Sequence, residues 1–276
     1  NRLRIESVLK DRDYDFVAEA LVTLPGATII EASGELKEAP KPEAHDFAVA
    51  AISRLSGLKI GPGFIRRAKD ILGIVEDQNV IMDTLVEIAR GYLQLNDIAG
   101  VPVPEDLDFS DARAIRNFEL SIRPEFLNIC IPFKEGIEDT FEERGVMLHL
   151  RPDIYGPRPG QINRFRRDKV LEAHIFKERI WLSEYLFDDS HEMMLEISLD
   201  KKTREIIEIN STPFRVPYHN LCELPFMRIH ELVGSRLGPD FREIVIKSIG
   251  GSIGCAHLVD LLLEIIRYLE NVYNNK

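Results

Sequence analysis

Cysteine is scarce in this chain, with three in 276 residues, Cys130, Cys222 and Cys255. So few, and an odd number, exclude a disulfide framework and make a reducing cytoplasm the expected compartment. Long apolar runs are also missing. Runs such as "IVI" and "LLL" fall far short of the ~20 residues of a membrane-spanning helix, and no charged-then-apolar signal segment opens the chain. Asn1 is not a start methionine, so the chain need not begin at a natural N-terminus. Positive charge is in deficit, 35 Lys and Arg against 46 Asp and Glu, for a net charge of −11. That balance argues against a broad nucleic-acid surface, which needs clustered cations to displace counterions. The basic clusters "IRRAK" (65–69) and "RFRR" (164–167) are short and read as solvated faces. No hydrolase triad or nucleotide fingerprint is present. "GLKIGPG" (57–63) lacks the Lys-Ser/Thr ending of a phosphate-cradling loop and reads as a turn between helices. A protein that is not a classical enzyme is expected, with protein partners, a homodimer being one form, rather than nucleic acid or a membrane.

What is present is a soluble globular composition, 45% hydrophobic, of a length that suits roughly one to three domains. The chain also repeats itself. Displaced by 177 residues, 1–95 aligns with 178–272 without a gap and with 20 identities in 95 pairs. Unrelated sequences would give about six, from average residue usage. "LSGLKIGPGF" (55–64) falls on "LVGSRLGPDF" (232–241), "TIIEA" (28–32) on "EIIEI" (205–209), and "MDTLVEIAR" (82–90) on "VDLLLEIIR" (259–267). The matches gather at turn glycines and helix faces, as shared backbone geometry demands. The expected organisation is a tandem duplication: a degenerate first copy at 1–95, a linker with inserted strands and a helix at 96–177, and a second copy at 178–276.

In the second copy, "RIWLSEYLF" (179–187), "HEMMLEISL" (191–199) and "REIIEIN" (204–210) read as strands, with "DKKT" as a hairpin turn. After the loop "STPFRVPYHN" come three expected helices: Cys222 to Val233 with Pro225 in its first turn and Gly234 at its end, one opened by "GPDF" and stopped by Gly250-Gly251, and Ala256 to about Tyr273. Pro239 and Asp240 suit the start of the second. Leu258, Leu261, Leu262, Ile265 and Leu269 line one side of the last. Strands followed by helices define an α+β fold, an antiparallel sheet with helices packed on one face. In the intervening segment "NDIAGVPVPEDLDF" reads as a linker and "DARAIRNFEL" as a helix with Ser110 as N-cap. "LNICIPF" and "VMLHL" read as buried strands, "YGPRPGQ" (155–161) as a loop, and "KVLEAHIF" (169–176) as a strand added to the second sheet. Cys130 is expected to be a core thiol, and His149 and His174 to be structural or surface residues.

The unusual residues of the second copy gather at element edges. His191 opens a strand, Cys222 the first helix, and Cys255, in "SIGGSIGCAHLVDLL", the last one. Helix N-termini favour thiolates, so both cysteines are placed for a lowered pKa. Residues two apart within a helix point ~200° apart, so Cys255 and His257 can share a metal only if Cys255 precedes the helical turn, which Gly254 permits. The first copy carries Tyr14, His45, Gln78 and Val80 at the positions of His191, Cys222, Cys255 and His257, while glycines and apolar faces persist. The scaffold stayed and the donors changed. His219, His230 and Asp260 are spare candidates, although Asp260 matches Asp83 and reads as a structural helix residue. The bland alternative makes Cys222 and Cys255 small buried hydrophobes and His257 a satisfied histidine.

The run "SHEMMLEISLD…IIEI…P…C…LVG…GGSIGCAHLVDLL" resembles the uncharacterised bacterial domain-of-unknown-function family two-eight-eight-nine, whose pattern runs His-Asp-Met, Pro-x-x-x-Cys, Leu-x-Gly and Gly-Cys-Thr-His-Leu. Glu192 and Ala256 stand in for its Asp and Thr. The resemblance covers 178–272 well, and it implies no activity. More distantly, the order of elements is similar to iron–sulfur scaffold proteins of the IscU and SufU type. That likeness would put His191, Cys222 and Cys255 on the three cysteine positions of that family and leave His257 without a counterpart. The expected function is a metal- or iron–sulfur-binding accessory protein with a site of His191, Cys222, Cys255 and His257, loaded with zinc or an iron–sulfur cluster. The alternatives are a persulfide carrier acting through Cys255 and an inert protein-interaction module.

Overall fold

The computed structural model describes all residues except 1, 25, 74–78, 96–102, 150–159, 161–164, 239 and 275–276. The linker start at 96–102, most of "YGPRPGQ", and positions Gln78 and Pro239 therefore lie outside the described residues. The chain divides into two compact units, the first essentially 1–101 and the second 102–154 with 162–274. Among the described residues no helix is long and apolar enough to cross a membrane.

The first unit opens with an antiparallel meander, β1 (Arg2–Lys10), β2 (Asp15–Thr23) and β3 (Ile29–Glu38), in that spatial order. Along β2, Phe16, Ala18, Ala20 and Val22 alternate into the core, the period-2 pattern of a sheet covered on one face. The helices α1 (Asp46–Ala51), α2 (Phe64–Leu72) and α3 (Asn79–Leu95) supply the cover. Helix α2 is bounded by Gly63 and Gly73, both left-handed, a conformation that favours glycine at each end.

The second unit begins with α4 (Ala112–Ile122) and α5 (Glu138–Glu143), followed by β4 (Met147–Leu148). Helix α4 is capped by Asp111, whose carboxylate accepts the N–H groups of Arg113 and Ala114, and not by Ser110; the latter is itself bound to Asp108. "LNICIPF" is not a strand. Asn128 has a positive φ of 64°, and Pro132 lies in the first turn of a 3-10 turn at Ile131–Phe133. "VMLHL" contributes only the two residues of β4, paired with β9 (Tyr218–His219).

The main sheet has four antiparallel strands in sequence order: β5 (Arg167–Ile175), β6 (Arg179–Asp188), β7 (Glu192–Asp200) and β8 (Ile206–Arg215). β8 runs on through Pro213, which an edge strand tolerates because one side of its backbone has no ladder partner. The stretch expected as one helix from Cys222 is instead α6 (Leu224–Met227) followed by a 3-10 turn at Ile229–Leu232. Then come α7 (Phe241–Ile249) and α8 (Ala256–Asn274), close to expectation. Leu182, Leu186, Met193, Leu195, Ile197 and Leu199 of the sheet form one core with Phe241, Val245, Leu258, Leu261, Leu262 and Ile265 of the helices. Burying each such side chain contributes about 1.5–3 kcal/mol.

Candidate functional site

The site starts at a turn. Between β6 and β7 the carboxylate of Asp188 folds back, its Oδ1 accepting the N–H groups of Ser190 (2.8 Å) and His191 (2.7 Å), while the Asp188 N–H donates to the His191 carbonyl (2.8 Å). This is the side-chain turn chemistry for which Asp is suited. The turn leaves His191 with its ring beside the same carboxylate, Nδ1 3.1 Å from Oδ1. An ionised carboxylate only accepts, so Nδ1 donates to Oδ1.

Across the ladder, Arg167 of β5 pairs in register with Asp188. Its Nε and Nη2 donate to Oδ2 at 3.1 and 2.6 Å. Nη2 also lies 3.1 Å from Nε2 of His257, the second residue of α8. Arginine cannot accept, so His257 Nε2 does. The His191 and His257 rings face each other with centroids 3.8 Å apart. From β8, Arg215 donates to the carbonyls of Asp188 and Asp189 and fixes the turn from its other side.

Asp188 is 1% exposed. Burial alone would raise its pKa, but His191, through its charge and hydrogen bond, and the Arg167 guanidinium together hold the carboxyl well below the usual carboxylate range. Among the described residues, Asp188, His191 and His257 form the one group of three or more His, Cys, Asp or Glu whose ligand atoms all lie within 4.8 Å of one another.

The cysteines lie outside that group, and all three are free and partly buried. Cys255 directly precedes α8, where its N–H donates to the Ile249 carbonyl (2.9 Å) and its sulfur accepts N–H groups from Leu258 and His257. The helix mouth does favour its thiolate as the sequence suggests. Burial outweighs that effect, however, and the thiol is pushed up rather than down. Cys222 precedes α6 by two residues, its N–H on the Tyr218 carbonyl (2.9 Å), and burial pushes it far up too. The expected lowered pKa is therefore corrected at both cysteines: desolvation wins over a helix end. Cys130 is also pushed up, chiefly by burial.

The structure thus brings together His191 and His257 of the sequence-derived set, and leaves Cys222 and Cys255 outside that group. The spare candidates go elsewhere. His219 stacks on His149 (5.0 Å between centroids) and pairs with Glu223, and His230 lies in the 3-10 turn after α6. Sequence reasoning missed Arg167 and Asp188. The Asp-x-x-His spacing of the "DDSH" turn was a signal for Asp188; Arg167 depends on strand register.

These residues define an α+β unit with an Arg–Asp–His–His cluster where a sheet turn meets the mouth of its last helix. Residues 181–269 match the family model described as a protein of unknown function, DUF2889. Neither a curated protein nor a solved structure matches the chain.

Proposed function

We propose that the second unit is a metal-binding accessory module in which His191, His257 and Asp188 hold one zinc or ferrous ion. The observation that carries this reading is the convergence of these three ligand atoms within 4.8 Å, from a turn and a helix start far apart in the chain. Two imidazoles and a carboxylate suit zinc and non-haem iron. An iron–sulfur cluster needs thiolates, which this group lacks. Arg167 stands where a cation is wanted, on Asp188 and His257 at once, so an entering ion replaces one positive charge with another. The module binds and presents its metal rather than catalysing a reaction, and its partners are proteins.

The duplication sharpens the assignment. Displaced by 177 residues, β1, β2 and β3 fall on β6, β7 and β8, α2 on α7, and α3 on α8. The isolated bridge Thr28–Lys59 falls on Glu205–Arg236. Asp11 makes the same turn as Asp188, accepting the N–H groups of Asp13 and Tyr14 at 2.7 Å each. The aspartate therefore belongs to the shared scaffold, whereas the two histidines are particular to the second copy.

The test is calorimetric titration of zinc into the chain with Cys130, Cys222 and Cys255 replaced by serine, so that only nitrogen and oxygen donors remain. One ion per chain is expected, weakened at least tenfold by His191→Ala or His257→Ala and tightened by Arg167→Met. Absence of saturable zinc binding in both the parent and the Arg167→Met protein, each folded by circular dichroism, overturns the reading and leaves a structural ion pair.

A further inference from the structure

The two larger sheets differ by one strand, and the difference leaves an open edge. Displaced by 177 residues, β1 falls on β6, but β6 is paired on both sides, by β5 and β7, while β1 has β2 as its one sheet neighbour among the described residues. The Asp11 N–H donates to the Tyr14 carbonyl (2.9 Å), which sets the phase of the β1–β2 ladder. Leu3, Ile5, Ser7 and Leu9 turn their backbone groups toward β2, and Arg4, Glu6 and Val8 turn theirs away. At the matching positions of β6, Trp181, Ser183 and Tyr185 lie opposite His174, Glu172 and Val170 of β5. The difference shows in burial as well. Ile180, Leu182 and Leu186 of β6 are at most 1% exposed, whereas Leu3, Ile5 and Leu9 at the same places in β1 are only partly buried.

An unpaired edge flanked by half-covered apolar side chains is a template for another strand. The order of charges along β1 decides which strand fits. When Arg2–Val8 runs antiparallel to the same stretch of a second copy, Arg4 stands opposite the partner's Glu6 at two symmetry-related points, and Ile5 stands opposite the partner's Ile5 on the two-fold axis. Sliding one strand by two residues either way sets Arg4 on Arg4 or Glu6 on Glu6, and like charges directly opposite are destabilising. We propose that the chain forms a two-fold dimer through β1, which joins two three-stranded sheets into one of six strands. The position of α3 suits this arrangement. That helix packs across β1 and β2, and at Gly91 it comes so close that a Cβ would lie 3.3 Å from Ile5 Cγ2. A two-fold axis normal to the sheet leaves both copies of α3 on one face, separated by two strand spacings, about 10 Å, the distance at which helices pack. The Arg4 guanidinium already pairs with Glu19 at 3.0 Å, so in the dimer it stands between two carboxylates. The contact lies in the first unit and is independent of the metal site in the second.

Sedimentation equilibrium of the full chain at micromolar concentrations is the test, with twice the mass of one chain expected. Glu6→Pro removes an edge N–H that faces away from β2, so it spares the β1–β2 ladder. It should raise the dissociation constant of the dimer at least tenfold with the circular dichroism spectrum unchanged. Arg4→Glu should weaken the dimer to the same degree, and Glu6→Arg added to it should restore association, because the facing pair is again of opposite sign. A variant that merely unfolded would show no such rescue, so the exchange decides the matter even if the proline variant does not fold. A monomer throughout the micromolar range leaves the edge to some other strand and overturns the proposal. A dimer that Arg4→Glu does not weaken, or that the double exchange does not restore, overturns it too.

Discussion

Asp188 shows how one side chain can serve a turn and a charge cluster at once. Its Oδ1 closes the β6–β7 turn as Asp11 closes that between β1 and β2, but only Asp188 is buried and faces an arginine. Replacing Asp188 by Asn keeps an acceptor for the turn and removes the charge, which leaves the Arg167 guanidinium buried and uncompensated. A loss of about 3 kcal/mol is expected at pH 7, the scale of breaking one side of a buried pair. Its pH dependence has a definite sign. The carboxyl is held below its unfolded value of about 3.9, so its stabilisation is complete above that pH and fades as the pH falls through the folded value. Urea unfolding should therefore give a larger gap between the wild-type and Asp188→Asn proteins at pH 7 than at pH 2.5; equal gaps would show that the charge plays no part. The same contest between desolvation and a local favourable field has the opposite outcome at Cys255, where two N–H groups are too little to offset burial.

The strands and the two longest helices of the second unit are legible in sequence because alternation and helical spacing are local, and because Gly250 ends α7, although in an extended conformation where a Cβ would lie 2.7 Å from the Ile246 carbonyl oxygen. What was hidden depends on contacts between elements. Arg167 meets Asp188 only through the β5–β6 register, and the Ile131 N–H reaches the Gly254 carbonyl where the loop Gly250–Gly254 folds tightly, with no room for a Cβ at Gly254, where it would lie 1.9 Å from the Ile249 carbonyl oxygen. "LNICIPF" misleads because an apolar run reads as a strand wherever a proline does not yet have a known neighbour. Glu184 is a further case. It sits mid-strand on the core face of β6, fully buried, facing Lys169 from β5 and Asp260, Glu264 and Arg267 from α8. Burial first, and the Glu264 charge second, raise its pKa well above the ordinary carboxyl value, Lys169 and Arg267 opposing. A raised folded pKa means that stability is complete below the unfolded pKa of about 4.3 and declines as the pH rises through the folded one. Glu184→Gln keeps the shape without that liability. It should be more stable than the wild type at pH 8 by thermal melting, with the advantage shrinking toward pH 4; an advantage that is constant with pH would mean that Glu184 is not held protonated.

At the scale of the molecule, the two units have separate cores, the first built from residues between Phe16 and Tyr92 and the second from residues between Ala112 and Leu269. Every member of the histidine cluster falls in the second. A chain of this length buries enough apolar surface to fold alone, and the intervening segment adds its own cluster around Phe133, Phe141 and Tyr218 rather than trailing as a spacer. Under the duplication we propose, the first copy kept the scaffold, including the Asp11 turn, and carries Tyr14 and Val80 where the second has its two histidines. It follows that residues 103–276 expressed by themselves should unfold in one cooperative transition and take up zinc with the stoichiometry of the full chain. If 103–276 folds but binds no zinc, the site depends on the first unit and the assignment of function to the second copy fails.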